Sequence, residues 1–521
     1  MWFMISVQNL LRPSNGNKES ELLNVAEESV TTPATSSKRN GLKMVMGILS
    51  ICFLMSSCAL FQPVTKADDK DKEEEELDPI SGRRVYDPET GTYIEVKDVV
   101  LQDMDTVIWT EVPASAFPPI TASDETYTGG SGSSDLIRVD DLGSEFLSTY
   151  NVALVLPFLT DRFNEFSTEI NESAMKAINY YGGVQLALDQ LRDEDISLNL
   201  SVVDSKANSY AVNTLLRSNQ EMRNSNLIIG PFLRDNITLM ADWAKKNEKV
   251  LVSPYSAAAG IVSKTPEYVQ VNPSLRTHTG AILEHALANY RQDQIVLVSK
   301  DVPAERARLQ YFQEEFKLRS GLFNAPPLQE FIISDESADL ANMEVLPFIE
   351  IQDTTVFIVP NWDEAFVYAL LRKIDISKLP EDEVIVYGMP QWMRFQRLEF
   401  DYYEKLNVHI SSSSYINPLS SEVRNFKQRF FDKFGSIPTN EAYLGYDVML
   451  YFSRMMKKYG TKFHLALERE PMQMMHTRFN FERVVAPAGR SGADLFDTIE
   501  QFENKYVNIL KFEDFQFQLA K

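Results

Sequence analysis

Side chains able to do chemistry are few and dispersed in this 521-residue chain. Its five histidines, His278, His285, His409, His464 and His476, never stand at a metal-chelating distance from one another, from a cysteine or from clustered carboxylates. Neither a metal nor a cofactor is therefore expected. The nucleophile elbow G-x-S-x-G, the phosphate-cradling G-x-x-x-x-G-K-[ST] and the zinc motif H-E-x-x-H are all missing. The densest acidic group, Asp189, Asp193, Glu194 and Asp195, falls at the end of a helical pattern and reads as a solvated terminus. No catalytic residue is assigned, and the chain does not read as an enzyme. The two cysteines, Cys52 and Cys58, share one short apolar stretch, so no intramolecular disulfide framework braces the remainder. A formal net charge of −23 excludes the basic footprint that nucleic-acid binding requires.

The cysteine stretch carries its own chemistry. Lys43 precedes the apolar residues 44–57, and small residues lead into Cys58, the layout of a secretory signal. A run of about a dozen residues is too short to span a bilayer, which takes about 20. Leu54-Met55-Ser56-Ser57-Cys58 resembles a bacterial lipobox, with Met55 where Leu is usual. That resemblance implies cleavage before Cys58, lipidation of its thiol and loss of Cys52 with the signal. Residues 1–57 are read as leader and signal peptide, although about 40 residues ahead of the apolar run is long for a signal. Translation beginning at Met44 or Met46 is one alternative. Residues 58–148 read as a stalk: the charge block 67–76 (ADDKDKEEEE), a hairpin around Asp87-Pro88-Glu89-Thr90-Gly91, a further strand at 107–112, and a Ser-, Thr-, Gly- and Pro-rich linker at 113–135.

Beyond the stalk, residues 149–521 alternate between strand and helix. Val152–Leu156 is an apolar run ended by Pro157, and Ala177, Tyr181, Val184, Leu188 and Leu191 recur on one helical face. Strands follow at 196–202, 227–229, 250–253 and 269–271, separated by helical patterns. A second series has strands at 295–299, 331–333, 356–359, 384–387 and 408–412, with a helix expected over 394–406. Two tandem βα arrays, each near 125 residues, predict an α/β protein of two doubly wound lobes. In such sheets ligands bind beyond the carboxyl ends of the strands. The tail adds helices ended by Gly435 and Gly460, and strand-like runs at 478–485 and 506–519.

Five segments occur in a telling order: VALVLPF (152–158), YYGGVQLALDQL (180–191), LIIGPF (227–232), VLVSPYSAAA (250–259) and FDKFGSIPTNEAYLGYD (431–447). Together they resemble type I periplasmic binding proteins of the leucine/isoleucine/valine-binding branch. The resemblance implies two lobes joined by crossover hinge segments and closing on a ligand: lobe one about 151–272 with 412–460, lobe two about 273–406 with part of 461–521. It maps candidate ligand contacts to Phe158, Phe232, Ser253, Ser256 and Ala257 in lobe one, and to Asp301, Trp362, Met389 and Trp392 in lobe two. Ser253 and Ser256 are expected to meet a carboxylate, Asp301 or Asp363 an ammonium, and Trp362 or Trp392 to stack on an apolar side chain. Ala257-Ala258-Ala259 stands where amino-acid binders usually place a Thr hydroxyl, and Val302-Pro303-Ala304-Glu305 where they carry Tyr-Gly.

Two functions follow. One is a lipid-anchored extracytoplasmic solute-binding protein, similar to amino-acid ABC transporter substrate-binding proteins, with a small polar ligand and an ABC permease as partners. The other is a lipoprotein that uses the same fold for interaction or regulation, as in control of peptidoglycan synthesis, with cell-wall synthesis proteins as partners. Either places the chain on the periplasmic side of the inner or outer membrane of a Gram-negative bacterium.

Overall fold

The run 152–156 becomes strand β3 (Tyr150–Leu156), and its alternating side chains show why it is apolar throughout. Val152, Leu154 and Leu156 face one core, while Ala153 and Val155 face another on the opposite side of the same sheet. A strand with helices on both faces has no polar side to alternate with. These relations come from a computed structural model, which describes residues 143–163, 170–321, 326–334, 343–397, 399–485 and 499–520, with the backbone of strands β1 (Arg83–Asp87) and β2 (Thr92–Val96). β1 and β2 pair antiparallel, with Asp87 opposite Thr92, as the hairpin expected there requires. The signal segment, Cys58, the charge block 67–76, the strand expected at 107–112 and the linker 113–135 lie outside the described residues.

The first sheet has the order β15-β16-β7-β6-β5-β3-β4. Its parallel part consists of β3, β4 (Leu198–Asp204), β5 (Leu227–Ile229), β6 (Val250–Ser253) and β7 (Tyr268–Gln270). Helices α1 (Glu172–Asp193), α2 (Ser209–Ser218), α3 (Gln220–Asn224) and α4 (Arg234–Lys246) connect these strands. The second sheet has the order β18-β17-β12-β11-β10-β8-β9. It contains β8 (Ile295–Lys300), β9 (Gln329–Ile333), β10 (Thr354–Ile358), β11 (Glu383–Gly388) and β12 (Val408–Ser412) in parallel. Its helices are α5 (Leu275–Asn289), α6 (Pro303–Ser320), α7 (Glu364–Ser377) and the short α8 (Phe400–Lys405). The helix expected over 394–406 is thus only its second half. Residues Pro390–Arg394 form a 3-10 turn instead.

The tail serves both sheets. Helices α9 (Ser421–Phe434) and α10 (Asn440–Tyr459) pack against α1 in the core of the first sheet. Beyond β13 (Met472–Gln473) and β14 (Arg478–Phe479), β15 (Phe481–Val485) and β16 (Ile499–Asn504) extend the first sheet, β16 lying parallel to β7. The chain then crosses to the second sheet, where β17 (Asn508–Glu513) and β18 (Gln516–Leu519) form an antiparallel hairpin beside β12. Three segments therefore join the lobes: 271–274, 413–420 and 505–507.

The α1/α10 contact fixes lobe one. A Cβ on Gly183 would sit 1.8 Å from the Ala442 carbonyl oxygen, and one on Gly445 would sit 2.2 Å from that of Tyr180. Only hydrogen fits where the two backbones cross. The YYGG and LGYD phrases are thus the two halves of one close helix crossing, and they set where the first turn of α10 points.

Candidate functional site

The strands of both lobes end toward a crevice of about 150 Å³ near the three crossovers. Lobe one supplies Pro254 and Tyr255 after β6, Asn272 after β7, and Asn440, Glu441 and Leu444 from the start of α10. His476 and Thr477 come from the turn between β13 and β14. Arg394 enters from lobe two, and Ser413 and Ser414 from the crossover after β12. The Asn272 amide donates to the Tyr255 carbonyl at 2.8 Å, fixing two lining segments against each other. The His476 carbonyl accepts from the Tyr415 N–H at 2.9 Å, joining the β13–β14 turn to the second crossover.

Charge and hydrogen-bonding capacity remain available here. Neither the Arg394 guanidinium nor the Glu441 carboxyl makes an ion pair among the described residues. Among the described residues, Glu441 accepts only from the Thr439 hydroxyl, at 2.6 Å. Tyr255 Oη, His476 Nδ1 and Thr477 Oγ1 are buried without a partner. Buried polar groups are normally hydrogen-bonded, and these three atoms are exceptions to that rule. Burial holds the Tyr255 hydroxyl proton on, the charge of Glu441 adds to that, and Arg394 acts against it. Burial also lowers His476 to about 4, so its ring is neutral at pH 7.

Beneath the floor lies Asp447, wholly buried in the LGYD phrase. Its Oδ2 accepts the His476 N–H at 2.6 Å, and its Oδ1 has no partner. Burial pushes its carboxyl up to about 8, against the opposing bonds from His476 and Met475 N–H. Neighbouring Tyr180 has its hydroxyl raised by burial and by Asp447. Asp447 therefore anchors the turn that brings His476 and Thr477 to the crevice.

None of the nine expected contact residues is among those that line this crevice. Phe158 is buried against Tyr181, with ring centroids 6.0 Å apart, and its loop is held by Asp204, which accepts the N–H groups of Phe158 and Thr160 at 2.9 Å. Phe232 packs between Tyr180 and Tyr255, at 5.5 and 4.3 Å. Ser253 is fully buried with its hydroxyl unpartnered. Ser256 turns inward to accept the Ala258 N–H at 3.3 Å, and Ala257 is exposed.

In lobe two, Asp301 pairs with Arg306, and Trp362 is 45% exposed with the Arg308 guanidinium 3.9 Å from its ring centroid. Asp363 caps α7 and pairs with Lys300 at 3.1 Å. Met389 is buried. Trp392, expected to stack on a ligand, is only 1% exposed. Its Nε1 donates to the Asn361 carbonyl at 2.6 Å, and its ring lies between Phe395 and Tyr403. That expectation is corrected: Trp392 plugs the lobe-two core, and Gly388 leaves room for it, since a Cβ there would meet the indole at 2.4 Å.

Sequence reading missed Arg394, Glu441, His476 and Thr477. Glu441 stood inside a quoted phrase, and Arg394 lies two residues past Trp392. Their charges look like any others until the lobes bring them to one place. Among the described residues no three His, Cys, Asp or Glu side chains are grouped to hold a metal, and no helix is long and apolar enough to cross a membrane.

The chain matches no family model and no curated protein. Solved structures do match. One from Rhodospirillum rubrum, described as a branched-chain amino acid ABC transporter, superposes with a TM-score of 0.54 over 71% of this chain and all of its own, at 13% identity. The fold is that of the type I periplasmic binding proteins. An ABC transporter substrate-binding protein from Desulfitobacterium hafniense in complex with Leu (TM-score 0.46, 12% identity, 71% and 100% covered) is also similar. So is LivJ from Streptococcus pneumoniae with isoleucine (0.42, 12%, 72% and 99%). The crevice lies between the two lobes, and the unpartnered atoms of Tyr255, His476 and Thr477 belong to residues that line it.

Proposed function

We propose that this protein is an extracytoplasmic solute-binding protein, tethered through a lipidated Cys58, that holds a small polar ligand between its lobes. The observation that carries this reading is the convergence of an unpaired arginine from lobe two and an unpaired carboxyl from lobe one on one crevice, with buried hydroxyl and imidazole groups left unsatisfied between them. An anionic group on the ligand would take Arg394, and a donor or cationic group would take Glu441. A ligand bridging both draws the lobes together and excludes water from the charges, which strengthens each contact. The acidic block 67–76 would act as a solvated spacer between membrane and domain.

A titration of the full chain against amino acids, short peptides and small dipolar carboxylates tests this. Ligand at 100 times its dissociation constant stabilises the fold by about 2.7 kcal/mol, seen as a raised melting temperature. Arg394→Ala is expected to weaken binding about tenfold or more, the worth of one charge-assisted contact. A melting temperature unmoved by every class of small solute rejects the reading. The anchor is checked separately, by mass spectrometry of the mature N-terminus for acyl groups on Cys58.

One observation favours the second reading, an interaction module acting on cell-wall synthesis proteins. About 150 Å³ is below the 300–1,000 Å³ usual for ligand pockets. Co-purification of a stable protein partner with no ligand response selects that reading.

A further inference from the structure

The hinge holds a knot of hydrogen bonds that the ligand site does not use. Glu503, on β16 of lobe one, is 3% exposed and lies just before the third crossover. Its Oε1 accepts the Ser274 N–H at 2.7 Å and the Thr277 hydroxyl at 2.6 Å. Its Oε2 accepts the Lys505 ammonium at 2.7 Å, and that ammonium also reaches Thr277 Oγ1 at 3.2 Å. Ser274 is the N-cap of α5, the first helix of lobe two. One buried carboxyl thus ties the first crossover, the third crossover and the start of a lobe-two helix to a lobe-one strand. Just past the third crossover, the Asn508 amide at the start of β17 donates to the Ser412 carbonyl at the end of β12 at 3.5 Å, within the lobe-two sheet.

We propose that Glu503 is the pivot of the hinge, a fixed point about which the lobes rotate as the crevice opens and closes. The proposal rests on the ligand-trapping reading for its purpose, and its physical basis is independent. A buried carboxyl with three donors, one of them cationic, is costly to expose, because each donor and the charge would be left without a partner. The position also suits an anion, since it faces the N-terminal turn of α5, where the helix N–H groups point outward. Rotation that keeps this knot intact must turn about it, so the distal strand tips move most and residues 274, 277, 503 and 505 least. Without the knot, α5 has no charged tether to lobe one among the described residues, and the lobes sample more orientations.

The test uses the full chain with Cys52 and Cys58 replaced by Ser and spin labels at Tyr210→Cys and Ile376→Cys, one exposed position on each lobe. Pulsed dipolar spectroscopy then gives the distribution of inter-lobe distances without any ligand. The intact hinge is expected to give narrow, discrete distances. Glu503→Leu should broaden them about twofold, and the milder Lys505→Met and Thr277→Val should broaden them less, each folded by circular dichroism. An unchanged distribution in folded Glu503→Leu overturns the pivot. Should Glu503→Leu fail to fold, an unchanged distribution in both milder variants overturns it. Because no ligand enters the measurement, failure of the pivot and failure of ligand binding are read separately.

Discussion

The strand-tip edges of the two lobes are built on opposite plans. At the edge of lobe two, most polar groups are bound to one another, Arg308 Nε being a buried exception. Buried Glu305 accepts the Lys300 N–H at 3.0 Å and the Asn361 amide at 2.7 Å, and it lies within 3.6 Å of the Lys300 ammonium and 3.5 Å of Arg308. Trp392 donates to Asn361, Asp363 takes Lys300, and Asp301 takes Arg306. At the edge of lobe one and on the crevice floor, Ser253, Tyr255, Tyr180, Thr477 and His476 keep hydrogen-bonding atoms that meet no partner. A group already committed within the protein must break a bond to recognise anything else, whereas an unpartnered one gains on binding. Under the proposed reading, the difference places recognition in lobe one and the crossovers, with Arg394 as the contribution of lobe two.

The largest expected effect breaks lobe one. Gly183→Val places side-chain atoms inside the Ala442 carbonyl, and α1 and α10 must separate. A loss of more than about 3 kcal/mol is expected. Because Glu441 rides on α10, hydrogen exchange should show protection falling first in α1 and α10, with β10 and β11 still protected. Equal loss in both lobes would mean that they unfold as one unit and that the division drawn above is only geometric.

Proton linkage sharpens the contrast next. Burial lowers His278 and His409 of lobe two to about 4, and His476 and His464 of lobe one to about 4 and about 3, from an ordinary 6.5. Below pH 6.5 the unfolded chain takes protons that the folded chain refuses, so stability is expected to fall from pH 6.5 toward 4 in both lobes. Asp447 acts with the opposite sign and in lobe one alone. Its folded value of about 8 exceeds the ordinary 3.8, so its contribution, complete below pH 3.8, is lost as pH rises toward 8. Asp447→Asn should therefore melt higher than the native protein, with a gap that grows from pH 4 to 8 and reaches a few degrees. A pH-independent gap would show that Asp447 is not held neutral by the fold.

The smallest effect probes the edge of lobe two. Trp392→Phe keeps most of the ring packing and leaves the Asn361 carbonyl without its donor. The expected cost is about 1 kcal/mol in urea unfolding, with ligand affinity unchanged. A large loss of affinity would restore Trp392 to the ligand site and erase the distinction between the two edges.

How far the sequence could be read follows the range of each interaction. Val152–Leu156, Leu227–Ile229 and Val250–Ser253 announce themselves because a strand covered on both faces must be apolar along its length. Gly435 and Gly460 announce helix ends, and both have positive φ. β16 was not anticipated: IEQFEN has no clean alternation, and its place beside β7 depends on a partner more than 200 residues away. Trp392 misled for a related reason. An aromatic residue just past a strand reads as a platform, yet the cavity left by Gly388 and the carbonyl of Asn361 draw it inward.

The sequence by itself determined the two βα arrays, the lipobox-like cysteine and the absence of catalytic motifs, because local periodicity and short motifs are written in neighbouring residues. Only the tertiary structure decided which polar groups stay unsatisfied. That property depends on whether a partner from a distant segment arrives, and at the crevice, for Arg394, Glu441 and Thr477, none among the described residues does.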